Sequence, residues 1–190
     1  MTEPGTGSDL QNIKTTAKKD GNGYVINGSK TFITNGQTAN LILVCAKTDP
    51  SKGAKGISIL MVETDEVDGF ERGRNLKKIG QPAADTSELF FNDVKVPASA
   101  LLGPEEGQGF IQLMQQLPQE RHIIGIQGIG MIERALRETV AYVKQRKAFG
   151  GTIMDFQNTQ FKLAECKTEA TVAKVFVDHC TELLLKGELD

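Results

Sequence analysis

Leu117-Pro118-Gln119-Glu120-Arg121-His122 holds the side chain of this sequence best placed to move a proton. Pro118 lacks an N–H and disfavours helix at Leu117, so the residues predict a kink or a helix start there. Glu120 falls on the turn that follows. A carboxylate aimed from a helix start into an interdomain crevice can serve as a general base. The same Glu is also what an ordinary solvated helix surface carries.

Three other stretches carry usable chemistry. Thr2-Glu3-Pro4-Gly5-Thr6-Gly7-Ser8-Asp9 is a loop by composition. Its glycines would let backbone approach a ligand, and Thr2 and Ser8 offer hydroxyl donors, although a plain surface turn has the same make-up. Phe32 and Thr34 share one side of a strand, where an aromatic and a hydroxyl could flank a planar ligand or belong to a core. Lys144-Gln145-Arg146-Lys147-Ala148-Phe149-Gly150 reads as a basic helix carboxyl end or as a phosphate clamp, in which the planar fork of Arg146 donates two parallel bonds.

Composition narrows the class. A chain of 190 residues with net charge −2 and both signs scattered has room for a core and no basic footprint for nucleic acid. No run predicts a membrane span, and the polar amino terminus resembles neither a signal nor a transit peptide. Cys45, Cys166 and Cys180 have no CxxC spacing and form no metal set with His122 and His179, which points to a reducing compartment.

The elements that must position these residues follow from pattern. Tyr24-Val25-Ile26, Asn27-Gly28 and Ser29 to Ile33 predict a hairpin with a type I′ turn. Leu41 to Ala46 predicts a strand buried on both faces, and Gly56 to Val62 and Ser87 to Val96 add strands. After Leu101-Leu102-Gly103-Pro104 the period changes. Ile129, Ile132, Leu136, Val140 and Val143 mark one helix, its start interrupted by Gly125, Gly128 and Gly130. Gly150-Gly151 breaks the chain. Leu163, Cys166, Ala170, Ala173, Val177, Cys180 and Leu184 mark a second helix whose seam would bury both cysteines. The expected fold is α+β: an antiparallel β-barrel or sandwich over residues 1–103, then an antiparallel helical hairpin over 104–190. Two helices cannot bury both faces alone, so the hairpin predicts half of a bundle or a dimer interface.

Five collinear stretches resemble the acyl-CoA dehydrogenase family. They are Met1-Thr2-Glu3-Pro4 through Gly7-Ser8-Asp9, Ile26-Asn27-Gly28 through Phe32-Ile33-Thr34-Asn35-Gly36, Val96-Pro97 through Leu101-Leu102-Gly103, Gln119-Glu120-Arg121, and Arg146-Lys147-Ala148-Phe149-Gly150. The resemblance implies FAD-dependent α,β-dehydrogenation of acyl-CoA thioesters. It also implies a truncated piece of a longer parent, holding the middle β domain and the first two bundle helices. Met1, Thr2, Phe32 and Thr34 would meet the flavin, while Arg146, Phe149 and Gln157 would meet the far end of the dinucleotide on a neighbouring subunit. Ser8 and Arg121 would contact substrate. Glu120 would take the α-proton while the β-hydrogen leaves as hydride to flavin N5. Glu120-Arg121 matches the long-chain and isovaleryl-CoA branches, in which the base precedes an Arg on the first bundle helix. Implied partners are acyl-CoA, an electron-transfer flavoprotein and further copies in a dimer or tetramer. The implied setting is the cytoplasm of a bacterium or the mitochondrial matrix of a eukaryote. An acyl-CoA oxidase on the same scaffold and a non-catalytic self-associating fragment are the alternatives.

Overall fold

Alternating apolar side chains build the first half of the chain. In the computed structural model, which describes residues 1–189, the strands are β1 (Thr16–Asp20), β2 (Gly23–Thr34), β3 (Leu41–Lys47), β4 (Ile57–Glu63), β5 (Phe70–Asn75) and β6 (Thr86–Pro97). They form one sheet in the order β4-β3-β1-β2-β6-β5. Pairing is antiparallel apart from a short parallel contact between β1 and β3 at Thr16 and Lys47. The mostly antiparallel sheet followed by helices bears out the expected fold class.

The main core gathers Tyr24, Ile26, Val44, Leu60, Val62, Leu89, Phe91, Val94 and Val96 from alternate positions of β2, β3, β4 and β6. Each such side chain contributes about 1.5–3 kcal/mol by leaving water. A second cluster of Leu10, Ile13, Cys45, Ile57 and Ile59 uses the other parity of β3 and β4, with Phe110 and Leu113 packed against it. Close approach fixes the latter contact: a Cβ on Gly109 would lie 2.8 Å from the Ser58 carbonyl carbon.

Two strand readings need correction. Asn27-Gly28 is no hairpin turn but an irregularity inside the continuous β2, with a register shift against β6 between Ile26 and Gly28. Gly28 is required there because a Cβ would lie 2.4 Å from Thr15 Oγ1. The actual hairpin turn is Gly21-Asn22, joining β1 to β2, with Gly21 at φ 57°. β3 is buried on both faces only at Val44, Cys45 and Ala46, because Leu41 and Leu43 lie outside the second cluster and stay exposed.

The chain divides into two compact units, Met1–Met114 and the residues from Gln115 on. α1 (Gly109–Gln145) begins well before Pro118, which lies inside the helix and marks no start. The proline removes one N–H, the partner of the Met114 carbonyl, and the helix continues beyond it. A small hairpin, β7 (Lys147–Ala148) and β8 (Gly151–Thr152), leads to α2 (Gln157–Lys186). α2 runs antiparallel to α1: His122 Nε2 meets Thr181 Oγ1 at 2.8 Å, while Val140 and Leu163 share a cavity near the opposite end. One neighbouring helix covers only one stripe. Ala170 is buried, with Leu163, Val177 and Leu184 partly covered, whereas Cys166, in the row beside them, is exposed and not in the seam.

Candidate functional site

The loop at the chain start is folded back by its own backbone. Glu3 N donates to the Thr6 carbonyl at 2.9 Å and Thr6 N to that of Glu3 at 3.1 Å. The Thr6 hydroxyl then reaches the Asn12 carbonyl at 3.2 Å. This turn leaves Ser8 exposed and Thr2 half-buried. Thr31 N donates to the Thr2 carbonyl at 2.9 Å, so Thr2 lies against the strand that carries Phe32.

Phe32 is turned outward by its backbone. Its φ is 57°, an uncommon conformation for an aromatic residue, and β2 shifts register against β6 between Lys30 and Ile33. The ring is 67 % exposed. Thr34 is exposed two residues on, while Ile33 between them packs on the core. Phe32 also lines a cavity of about 680 Å³ with Arg74, Asn75, Leu76 and Lys77. A bare aromatic face with the Thr34 hydroxyl on the same strand suits a planar group such as a flavin, with Lys77 the nearby cation and Arg74 held bidentately by Glu88 at 2.9 Å.

Beneath this ridge lies an ion pair that pattern reading did not single out. Lys30 and Glu3 are 3 % and 5 % exposed and meet at 2.8 Å. Lys30 also donates to the Cys45 carbonyl at 2.7 Å and the Met1 carbonyl at 3.2 Å. Glu3 accepts from the backbone N–H of Lys14 at 2.5 Å and of Thr15 at 3.0 Å. Its signal was strand parity: Lys30 has the inward parity of Tyr24 and Ile26. Burial pushes the Glu3 carboxyl up, but the bonds from Lys30 and the Thr15 and Lys14 amides outweigh it and hold the group below its ordinary value.

A carboxyl depressed in the folded state contributes stability above its unfolded pKa and loses it as pH falls through the folded one. Thermal melts should therefore hold steady from neutrality to the ordinary carboxylate range, then drop as Glu3 is forced to protonate. In Glu3→Gln that part of the acid limb should flatten. Equal acid slopes in the two proteins would show that Glu3 is not the group responsible.

The remaining candidate residues lie in the second unit. Glu120 is exposed on α1, as is Arg121. His122 faces α2 through its bond to Thr181. At about 100° per residue, Glu120 points away from that seam. Ile124 and Met131, each 66 % exposed, continue along the Glu120 face. Arg146 directly follows α1, its carbonyl accepting from Ile153 N at 2.9 Å. Phe149, at φ 53°, stands 97 % exposed at the tip of the β7–β8 hairpin. Its ring meets Phe156 edge-on at 6.2 Å, a partner that sequence spacing did not reveal. Gln157 is exposed as the first residue of α2. Thus Thr2, Phe32 and Thr34 share one strand region, and Arg146, Phe149 and Gln157 share one hairpin and the helix start behind it. Among the described residues no cluster of His, Cys, Asp and Glu could hold a metal ion, and no helix is long and apolar enough to cross a membrane.

This division matches two family profiles, "Acyl-CoA dehydrogenase, middle domain" over residues 1–94 and "Acyl-CoA dehydrogenase, C-terminal domain" over residues 107–190. The chain belongs to the acyl-CoA dehydrogenase family. It is 53 % identical over 185 residues to the mitochondrial long-chain specific acyl-CoA dehydrogenase of Sus scrofa, covering 96 % of this chain and 43 % of that protein. Against the cyclohex-1-ene-1-carbonyl-CoA dehydrogenase of Syntrophus aciditrophicus identity is 45 % over 183 residues, covering 96 % and 44 %. The crystal structure of acyl-CoA dehydrogenase from Geobacillus kaustophilus superposes with a TM-score of 0.95 at 53 % identity, covering 99 % of this chain and 50 % of that one. A more distant structure, PigA with FAD and proline, superposes with a TM-score of 0.92 at 29 % identity, covering 98 % and 48 %. The chain therefore spans about half the length of these relatives or less.

Proposed function

We propose that these residues serve FAD-dependent α,β-dehydrogenation of acyl-CoA thioesters, with Glu120 as the general base. The observation that carries this reading is the exposed ridge of Phe32 and Thr34 beside Thr2, built by an outward-turned aromatic in a left-handed conformation. FAD, when bound, supplies the two-electron acceptor. Phe32 covers one face of the ring, and Met1, Thr2 and Thr34 contact its polar edge. Ser8 and Arg121 hold the acyl-CoA. Arg146, Phe149 and Gln157 clamp the phosphate and adenosine end of a dinucleotide seated on another copy.

An α-proton beside a thioester is a poor acid, so the carboxylate that removes it must act in a water-excluded space. Glu120, Ile124 and Met131 form a strip with a carboxylate at one end and apolar cover behind it, suited to an acyl chain. An electron-transfer flavoprotein is the expected acceptor of the electrons. A dimer or tetramer is the expected assembly, in the cytoplasm of a bacterium or the mitochondrial matrix.

The test is a chimera in which residues 1–190 replace the matching segment of the Geobacillus kaustophilus enzyme. Purified, it should carry flavin absorbance that long-chain acyl-CoA bleaches without oxygen. The 190-residue chain alone should bind FAD at least ~10²-fold more weakly, because ordering an incomplete site is not repaid by part of its contacts. A chimera that folds and assembles but stays colourless with added FAD would refute the proposal. Tight, stoichiometric FAD on the chain alone would refute the expected weakness.

A further inference from the structure

Residues Met1, Thr2 and Glu3 are each tied to the two residues that precede Phe32. Lys30 Nζ donates to the Met1 carbonyl at 3.2 Å and to Glu3 Oε1 at 2.8 Å, and Thr31 N donates to the Thr2 carbonyl at 2.9 Å. The third Lys30 proton goes to the Cys45 carbonyl at 2.7 Å, so every donor of the ammonium is engaged. The carboxylate is engaged as fully, by Lys30 and by the amides of Lys14 and Thr15.

Stability alone does not account for such an arrangement. A buried ion pair can usually be replaced by apolar side chains of similar volume without loss, since removal from water offsets the attraction. An apolar pair, however, could not hold the Met1 and Cys45 carbonyls or the Lys14 and Thr15 amides at set points. Phe32 needs such holding. Its left-handed φ persists only where neighbours on both sides over-determine it. On one side is the Lys30–Thr31 anchor, on the other Ile33, packed against the core.

We infer that the buried Glu3–Lys30 pair is the positioning device of the flavin ridge, fixing Thr2 relative to Phe32. The inference rests on the flavin reading proposed above. Neither residue touches the ring. They act through the Met1–Glu3 backbone and the Lys30–Thr31 segment, so loss of the pair should loosen the ridge while the sheet survives.

Two variants test it, Lys30→Met and Glu3→Gln. The second keeps the side-chain volume and guards against a failure of the first to fold. In the 190-residue chain, hydrogen exchange at the Thr31 amide should accelerate at least ~10-fold while that of Leu60, deep in β4, stays put. In the FAD-loaded chimera, the FAD dissociation constant should rise at least ~10-fold. The flavin reduction potential should also shift by about 30 mV or more, the equivalent of tenfold in a two-electron couple. Faster Thr31 exchange with unchanged FAD affinity and potential would overturn the positioning role and leave the flavin site standing. Uniformly faster exchange across the sheet in both variants would overturn it too, making the pair a plain stability element. A wild-type chimera that takes up no FAD would remove the flavin reading and this inference with it.

Discussion

Glu120→Gln in the chimera should leave acyl-CoA binding nearly unchanged and slow substrate-driven flavin bleaching by about 10²–10⁴-fold. The substitution keeps the size of the side chain and its place on α1, and removes the charge that accepts a proton. An interaction needed only in the transition state lowers kcat and kcat/KM together, which rapid mixing over a range of acyl-CoA concentrations reads directly. His122 strengthens the expectation from a neighbouring position. Thr181 donates its proton to the Val177 carbonyl at 2.9 Å, so His122 Nε2 must be the donor in its own bond to Thr181. His122 is thereby turned toward α2, on the side of the helix away from Glu120, and is out of position to replace the lost base. Arg121 has no proton-accepting role at neutral pH. Bleaching at near wild-type speed in Glu120→Gln would end the assignment of Glu120 and leave the family membership intact.

How much of this was legible before the structure differs from residue to residue. That Phe32 and Thr34 share a side was, because side chains alternate along a strand, but both have the inward parity of Tyr24, Ile26 and Lys30, so their exposure was not. Nor was the cause of that exposure, since a left-handed φ at Phe32 leaves no trace in residue type. Asn27-Gly28 misled for a physical reason. The dipeptide favours a tight turn, but here the missing Cβ serves the approach of Thr15, and Gly21-Asn22 makes the turn instead. Pro118 misled similarly, because a helix that continues on both sides tolerates one lost hydrogen bond. The Glu3–Lys30 pair joins residues far apart in the chain, and tertiary pairing of that kind has no local signature. Lys30's inward parity was the one available hint. In the helices, period is visible in residue type and burial is not: Val143 and Ala170 are buried as their period implies, whereas Ile132 and Cys166 are exposed because one neighbouring helix covers only one stripe.

The 190-residue chain should self-associate, and through a different face of α2 than its three-four seam suggests. The seam residues Leu163, Ala170, Val177 and Leu184 are at least partly covered. Roughly opposite, at about 100° per residue, stand Phe161, Val172 and Val175, with Phe176 on the flank beside them, each 62–66 % exposed. α1 repeats the arrangement, with Ile124, Met131 and Tyr142 exposed at 62–66 % on the side away from His122 and Val143. A helix apolar on opposite faces is built to be enclosed. A contiguous apolar face of several such side chains exceeds what monomeric proteins usually leave to water. Burying one of them contributes about 1.5–3 kcal/mol, and micromolar association needs about 8 kcal/mol beyond the cost of holding two chains together, so several on each copy must be buried at once. Light scattering during size exclusion should show a dimer or larger species. Val175→Glu with Phe176→Glu should return it to monomer, weakening association by at least ~10²-fold while helix content stays the same. Cys166→Ser, beside the seam, should leave the assembly unchanged. A wild-type chain that runs as a monomer at tens of micromolar would show that these faces remain in water unaided.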